Sequence, residues 1–327
     1  MSRLGLRFLP ALVASSLSTG HALGQAVEQN DALVWLQRIA DAARELNYTG
    51  TFVYQHGDQV ETSRITHFVD RSGEYEKLET LDGPRREIIR TNSEVLTFFA
   101  DTQLVKREKR STRRTFPALL PEQLSSLTAH YQLRKGVQER IAGYDSQALV
   151  LEPRDEFRYG HKLWAEIKTG LLLKARMLNE RREVMEQFHF TQVQINAPLT
   201  RDAVKPGFAV PAPDSSPSLP PAAAAADTGW TVRNRPAGFK KIMELRRTKQ
   251  GGQVQVAHLV YSDGLAAVSV FIEPLPPSRN VAEGLSQQGA VTIYTKSLSD
   301  QLVTVLGETP PVTVMQIGDS VGLKGRQ

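Results

Sequence analysis

The 327-residue chain contains no cysteine. Disulfide bonds, thiolate metal sites and a cysteine nucleophile are therefore excluded. Stability has to come from burial of side chains alone, which domains of roughly 100 to 170 residues can provide. After the N-terminal segment, no stretch is apolar enough to cross a bilayer, which needs about 20 such residues. The sequence therefore predicts a soluble mature protein.

The motifs of common enzyme classes are also missing. There is no Gly-x-Ser-x-Gly elbow, no phosphate-binding loop, no dinucleotide-type glycine run and no helix with paired histidines. The remaining histidines show no metal-ligand spacing, and the pair Asp155–Glu156 falls in a polar connection beside Pro153. We therefore expect a non-enzyme with no catalytic residue, no metal site and no cofactor.

The N-terminus has the layout of a secretory signal peptide. Arg3 and Arg7 precede the apolar stretch 8–17, and small residues follow, with cleavage expected near Ala22–Ala26. The alternative, a membrane anchor, is disfavoured because the apolar run is about half of the ~20 residues that a spanning helix needs. Export to the periplasm is expected.

A proline- and alanine-rich segment separates two domains. Residues 205–228 contain almost no large apolar side chain, which is typical of an exposed and partly extended linker. The predicted organisation is a signal peptide (1–26), a front domain (27–204), this linker and a back domain (229–327).

The front domain is predicted to be one helix followed by an antiparallel meander. Asn30 or Asp31 can cap the helix, which ends near Asn47 and Gly50. Beyond it, apolar residues alternate with period two, and Gly- or Asn-containing turns separate the strands. Leucines 119, 120, 124 and 127 have the spacing of a short helical lid.

Several strands of the front domain are apolar on both faces, which favours a half-open antiparallel barrel with helices against it. An ordinary two-layer core is the alternative. If the barrel encloses a lipid chain, the expected lining residues are Phe98, Leu120, Leu124, Leu127, Trp164 and Leu172.

Six of the nine residues from Lys106 to Arg114 are basic. A solvated, charged strand edge is one interpretation, and a surface for anionic head groups is the other. Nucleic acid is not expected as a partner of an exported protein. The head-group candidates are Lys106, Arg107, Lys109, Arg110, Arg113 and Arg114.

The back domain is predicted to be a small α+β unit. Five strands are expected between residues 240 and 306, followed by a helix with Thr309 as N-cap. Gly238–Phe239 and Ser262–Asp263–Gly264 have turn chemistry, and we expect them to serve local structure only. The tail after Val321 is either disordered or a last strand.

Several strings resemble one known family. In the front domain they are NYTGTFVYQHG (47–57), LDGPRREIIR (81–90), PRDEFRYGHKLW (153–164) and TGLLLKA (169–175). In the back domain they are SDGLAAVSVFIEPL (262–275) and VTVLGETP (303–310). Both sets resemble the MucB/RseB family, in order and over most of the mature chain.

This resemblance implies a periplasmic, non-catalytic regulator of the envelope stress response. Such proteins bind the periplasmic part of a transmembrane anti-sigma factor and protect it from site-one proteolysis. Their front domain is similar to lipoprotein carriers of the LolA type, lipid or lipopolysaccharide is the release signal, and they tend to self-associate as homodimers or higher oligomers. A periplasmic lipid or lipoprotein carrier remains the alternative function.

Overall fold

The computed structural model describes residues 19–109, 120, 124–209, 227–248, 255–275 and 281–325. The predicted fold class, α+β with two domains, is confirmed: the described residues form two large antiparallel sheets, each covered by a helix. No helix among them is both long and apolar enough to span a membrane. Of the predicted signal peptide, residues 1–18 lie outside the described part of the chain.

The first helix, α1 (Thr19–Glu45), is longer than predicted. Its expected start at Asn30 or Asp31 is wrong, because Ala22, Leu23 and Ala26 upstream are good helix formers and the helix runs through the cap residues. The predicted end is confirmed.

One stripe of α1 packs on the front sheet. Leu36 and Ile39 are buried there. Arg38 links the helix to the connection that follows Glu166, because its Nη2 donates to the backbone oxygen of Ile167 (2.7 Å). The helix therefore forms the second layer of the front-domain core.

Eleven strands form the front sheet, and the predicted meander is confirmed. Their order is β6-β5-β4-β3-β2-β1-β11-β10-β9-β8-β7, so the first and last strands pair at the centre while β6 and β7 form the two edges. The strands are β1 (Tyr48–His56), β2 (Gln59–Asp70), β3 (Gly73–Thr80), β4 (Arg86–Arg90), β5 (Glu94–Phe99), β6 (Leu104–Lys109), β7 (Tyr131–Ile141), β8 (Tyr144–Pro153), β9 (Gly160–Glu166), β10 (Leu172–Leu178) and β11 (Val184–Ile195).

The two faces of this sheet differ. On the inner face, Leu149, Leu163, Ala175 and Phe188 are paired across four neighbouring strands and belong to the core cluster that includes α1. The outer face carries the alternate residues of the same strands. It is largely polar in β9 to β11.

The predicted lid is present as a 3₁₀ helix, η1 (Leu124–Ala129), which contacts α1 and β7. Residue 119 lies outside the described residues. A second 3₁₀ helix, η2 (Arg201–Val204), ends the front domain.

The back domain contains a six-stranded sheet in the order β13-β14-β15-β18-β17-β16, and the five predicted strands are confirmed. Buried valines and leucines from β14, β15 and β18 pack under the helix α2. The elements are β12 (Trp230–Val232), β13 (Lys240–Thr248), β14 (Gln255–Ser262), β15 (Ala267–Pro274), β16 (Gly284–Gln288), β17 (Val291–Leu298), β18 (Gln301–Gly307), α2 (Pro311–Asp319) and β19 (Val321–Leu323).

Two details of the back domain differ from the prediction. The N-cap of α2 is Pro310, so the assignment of Thr309 is wrong. Thr309 is fully buried, and its backbone oxygen accepts a hydrogen bond from Thr292 Oγ1 (2.7 Å), which ties it to β17. The tail forms a strand, because β19 pairs with β12.

Candidate functional site at the domain interface

A buried arginine joins the two domains. Arg158 lies between β8 and β9, and its side chain is 0% exposed. Nε donates to Asp155 Oδ1 (3.0 Å) within the front domain. Nη2 donates to the backbone oxygen of Ala237 (2.6 Å), and Nη1 lies 3.1 Å from Asp263 Oδ2, so the same guanidinium reaches two segments of the back domain.

Asp263 completes this ion pair from the turn between β14 and β15. Its side chain is also 0% exposed. Oδ1 accepts the N–H groups of Leu265 and Ala266, both at 2.9 Å, and Oδ2 accepts the hydroxyl of Tyr131 in the front domain (3.2 Å). The purely local role expected for this turn is therefore wrong. A buried carboxylate with this many partners is stabilised, whereas one without them would be very costly.

Aromatic rings enclose the pair. The Arg158 guanidinium carbon lies 5.7 Å from the ring centre of Tyr131 and 5.3 Å from that of Phe239. Gly238 has φ 87°, and a Cβ at this position would meet the ring of His130. Gly238–Phe239 is thus an interface element and not only a turn.

The two histidines and the tyrosine beside the pair are neutral at pH 7. Burial lowers the pKa of His161 to about 4, although Asp263 opposes this shift. Burial also lowers the pKa of His130, helped by the charge of Arg158. Burial, and then Asp263, raise the pKa of the Tyr131 hydroxyl. The Arg158–Asp263 pair therefore lies in weakly polarisable surroundings, where charges interact strongly.

A hydrogen bond and an apolar contact support this end of the interface. Thr313 Oγ1 in α2 donates to the backbone oxygen of Phe157 (2.7 Å). Leu265, next to the Asp263 turn, packs on the front-domain core. We call this group of contacts, centred on Arg158 and Asp263, the Arg158 end of the interface.

A second part of the interface, which we call the His56 end, is centred on His56 and is more loosely paired. The ring of His56 packs against Gly289 in the β16–β17 turn, and Tyr159 and Met177 form a small buried cluster with Ala290. His56 Nδ1 is 3.9 Å from Glu186 Oε2, which accepts no hydrogen bond among the described residues.

At the His56 end, the charged form of the Glu186 carboxyl is disfavoured by its surroundings. Burial raises its pKa, and the carboxylate of Glu308 in the back domain raises it further, while a hydrogen bond from Tyr54 and the nearby His56 oppose the shift. Two carboxylates from different domains therefore repel each other across the interface.

Five of the six predicted lipid-lining residues are buried in the front-domain core cluster. Leu124 and Leu127 of η1, together with Leu120, are 6%, 0% and 3% exposed and pack with α1. Leu172 is 3% exposed and Trp164 is 1% exposed, but Trp164 joins the cluster from the outer side of the sheet, opposite Leu163. The structure thus brings the leucines together in one buried core cluster.

Phe98 is separate from the other five. It stacks on Phe208 at the start of the predicted linker, with 4.4 Å between ring centres. Gly207 N–H donates to Glu87 Oε2 (2.9 Å), so this part of the linker lies on the front sheet. A cavity of about 320 Å³ between them is also lined by Arg85 and Gln103.

The predicted head-group residues are only partly described. Lys106 Nζ is 3.0 Å from Glu108 Oε1, and Arg107 Nη1 is 2.6 Å from Glu94 Oε2, so each has an acidic partner on the surface. Residues 110, 113 and 114 lie outside the described part, as does the side chain of Lys109. No group of three or more acidic or histidine residues suited to a metal ion occurs among the described residues.

Family comparisons match both domains. The MucB/RseB N-terminal domain matches residues 31–208, and the MucB/RseB C-terminal domain matches residues 224–322. The chain belongs to the MucB/RseB family. Its similarity to the sigma factor AlgU regulatory protein MucB of Pseudomonas aeruginosa is 33% identity, over 90% of this chain and 92% of that protein. The sigma-E factor regulatory protein RseB of Escherichia coli is 25% identical over 94% and 96% of the two chains.

A solved structure supports the family assignment. The crystal structure of MucB in complex with MucA(peri) contains a chain with 31% identity and a TM-score of 0.72 to this one, covering 90% of this chain and all of that one. A crystal structure of MucB is also similar to this chain, with 30% identity and a TM-score of 0.64 over 90% of this chain and 98% of that one.

Two of the strings that carry the family resemblance contain residues of the Arg158 end of the interface. PRDEFRYGHKLW contains Asp155 and Arg158, and SDGLAAVSVFIEPL contains Asp263. The sequence placed Asp155 in a polar connection and Asp263 in a turn with only a local role. The available clue was a charged residue inside each long family-like string, since exposed connections rarely need a fixed sequence.

Proposed function

We propose that this protein is a periplasmic negative regulator of the envelope stress response that binds the periplasmic part of a transmembrane anti-sigma factor. The observation that carries the proposal is the match, over 90% of the chain, to a MucB chain solved in complex with MucA(peri). The relatives' names, sigma factor regulatory proteins, support the same role and a non-catalytic mode of action.

The domain interface gives this function a physical basis. A partner that contacts both domains binds best to one relative orientation of them. The Arg158–Asp263 pair favours one orientation, because separating the domains would expose both charges and leave Tyr131 without its acceptor. Binding of the anti-sigma factor, and its protection from the site-one protease, would then depend on an intact interface.

Release by lipid or lipopolysaccharide is the second part of the proposal. The predicted lining leucines are covered by η1 and α1, so an acyl chain has to displace Leu124 and Leu127 from the core. Burial of each methylene contributes about 0.8 kcal/mol, so a long acyl chain supplies on the order of 10 kcal/mol. If the lipid binds the partner-free conformation about 5.5 kcal/mol more tightly than the partner-bound one, it shifts the protein from almost all bound to almost all free.

The experiment is a binding titration of the purified mature protein against the periplasmic segment of its anti-sigma factor. It is run with and without lipopolysaccharide, and with the site-one protease present in a second series. We expect tight binding, protection from cleavage, and weaker binding when lipid is added. Binding that fails without lipid, together with lipid or lipoprotein that co-purifies, would favour the carrier function instead.

Variants locate the lipid site. Leu124→Asp should abolish release by lipid, and Leu124→Ala, which is gentler on folding, should weaken it. The matched control is Leu104→Ala, because Leu104 is 44% exposed on the edge strand β6 and lies outside the core cluster. Release that survives in both Leu124 variants would place the acyl chain elsewhere. Size-exclusion chromatography with light scattering tests the proposed homodimer or higher oligomer.

A further inference from the structure

Four side chains form a block on the outer face of the front sheet. Trp164 in β9 is paired directly with Lys174 in β10, and Lys162 is paired with Arg176. Because these residues are two apart on adjacent strands, all four lie on the same face. Three of the four are basic.

The three cations converge on the indole ring. The distances from the ring centre of Trp164 are 4.5 Å to Lys162 Nζ, 4.7 Å to Lys174 Nζ and 5.6 Å to the guanidinium carbon of Arg176. Each contact is favourable through the negative face of the ring. The tryptophan, which is 1% exposed, therefore provides one buried ring around which the three cations gather.

Negative charge does not balance this block. Glu139 Oε1 lies 3.2 Å from Lys162 Nζ, and it is the one carboxylate that forms an ion pair with the block among the described residues. Lys162 and Arg176 face each other directly across two strands, an arrangement of like charges that destabilises a sheet. By contrast, Lys106 and Arg107 in the predicted head-group run each have a glutamate partner.

The effect of this excess charge extends to neighbouring groups. Burial lowers the pKa of Lys174, and the charge of Arg176 lowers it further. Burial also lowers the pKa of His189, which is paired with Lys174 in β11, and Lys174 and Arg176 add to this shift. An anion bound here would oppose both charge contributions.

We propose that Lys162, Lys174 and Arg176, arranged around Trp164, form a binding site for a phosphate monoester displayed on a lipid surface. Three cations grouped around one indole ring match the charge of a group that carries close to two negative charges and three acceptor oxygens at one phosphorus atom. Arg176 adds a planar fork that matches phosphate geometry.

An acidic peptide fits less well. Carboxylates on one side of an extended chain are about 6.6 Å apart, because successive residues advance by roughly 3.3 Å and alternate in direction. Such a peptide would place one carboxylate near three cations. The site also lies on an open sheet face, with the Lys162 side chain 28% exposed, which suits a group presented by a surface.

This inference goes beyond the proposed function and is independent of the acyl-chain site. The block lies on the outer face, whereas Leu163 and Ala175 face inward to the core that contains Leu124 and Leu127. A variant of the block should therefore still bind the anti-sigma segment in the absence of lipid.

The test compares the full mature chain with a Lys174→Gln/Arg176→Gln variant in a vesicle flotation assay. The vesicles are phosphatidylcholine with either phosphatidic acid, a phosphate monoester, or phosphatidylserine at equal surface charge. We expect the wild type to prefer phosphatidic acid, and the variant to lose roughly thirtyfold in affinity, since each basic residue near such a surface contributes about a factor of five. The matched control, Arg86→Gln, removes a basic residue that is already paired with Glu61 and should bind normally.

Further arms separate the sources of anionic charge. Inorganic phosphate at matched ionic strength should compete only weakly with the vesicles, and a glutamate-rich peptide should not compete. Equal vesicle binding by the wild type and the double variant would overturn the proposal, as would equal loss in Arg86→Gln. Strong competition by the peptide would assign the block to an acidic protein segment, and saturation by inorganic phosphate without vesicle binding would exclude the lipid surface.

Discussion

At the Arg158 end of the domain interface, two opposite charges are both 0% exposed, and hydrogen bonds from both domains surround them. At the His56 end, His56 and Glu186 are 21% and 18% exposed, their nearest atoms are 3.9 Å apart, and a second carboxylate from the other domain repels Glu186. The comparison teaches that the two ends resist separation unequally. The Arg158 end acts as the fixed point, and the His56 end is where the domains part at least cost.

The largest effect is expected from removal of one charge at the fixed point. Asp263→Leu removes the fully buried carboxylate from Arg158 and leaves only the partly exposed Asp155 as its ionic partner among the described residues, which costs about 3–5 kcal/mol. Urea denaturation followed by tryptophan fluorescence measures the loss. Glu186→Gln, the equivalent change at the His56 end, should cost under about 1 kcal/mol, because that carboxylate is partly exposed and weakly paired.

A double variant checks the cause. Arg158→Met with Asp263→Leu removes both charges and should recover most of the stability, since apolar replacement of a whole buried pair is often neutral. If Asp263→Leu alone costs no more than Glu186→Gln, the two ends are equivalent and the comparison fails.

An intermediate effect is expected from a matched pair of glycine substitutions. Gly238 (φ 87°) and Gly289 (φ 58°) each face a histidine ring of the front domain, His130 and His56 respectively. Alanine at either position costs about 1–3 kcal/mol of backbone strain. We expect Gly238→Ala to be the more damaging by thermal denaturation, because His130 is held beside the buried ion pair while the His56 ring can turn toward solvent.

The steric part of each loss can be separated. His56→Ala in the Gly289→Ala background, and His130→Ala in the Gly238→Ala background, remove the ring that the new Cβ meets. The His56→Ala/Gly289→Ala variant should be more stable than Gly289→Ala alone, although the backbone strain at residue 289 remains. Equal costs for the two glycine variants would contradict the unequal interface.

The smallest effect concerns pH at the His56 end. Burial and Glu308 raise the pKa of Glu186, so the closed interface binds this proton more tightly than the separated domains do. Protonation therefore favours the closed form at acid pH, and this contribution is lost as pH rises through the folded pKa. Glu308→Gln should lower the pKa of Glu186, observed by carbon NMR of its carboxyl group.

The control for this titration is Glu45→Gln at the exposed end of α1, which should leave the Glu186 titration unchanged. A Glu186 pKa that does not move in Glu308→Gln would mean that burial alone sets it, and that no repulsion acts between the domains.

Local features could be predicted from the sequence. The meander of the front sheet follows from alternating residues and glycine-containing turns such as Gly57–Asp58, and the inward residues of α2 follow from their spacing. The exposed strand β16 has no apolar alternation, since all five of its residues are exposed, and it was not predicted. The position of β16 at the edge of the sheet depends on its pairing with β17.

The site was harder to predict because it depends on two segments that are distant in sequence. Nothing near Arg158 indicates that its partner is Asp263, and turn chemistry explains Asp263 locally without a second role. The lining leucines were identified as apolar and close together, but periodicity does not show that they are buried in one cluster with α1. Adjacent residues of a strand face opposite sides of the sheet, so Trp164 lies on the face opposite to Leu163. The choice of Trp164 as a lining residue did not take this alternation into account.

The order of strands in the front sheet also affects how the chain folds. Tyr48 in β1 is paired with Ile195 in β11, so the centre of the sheet joins the first strand of the domain to its last. Pairing between such distant segments is slow, because a long loop has to close before the contact forms. The sheet cannot be completed until almost the whole front domain is available. Because synthesis proceeds from the N-terminus, the front domain would therefore stay unfolded through most of its synthesis.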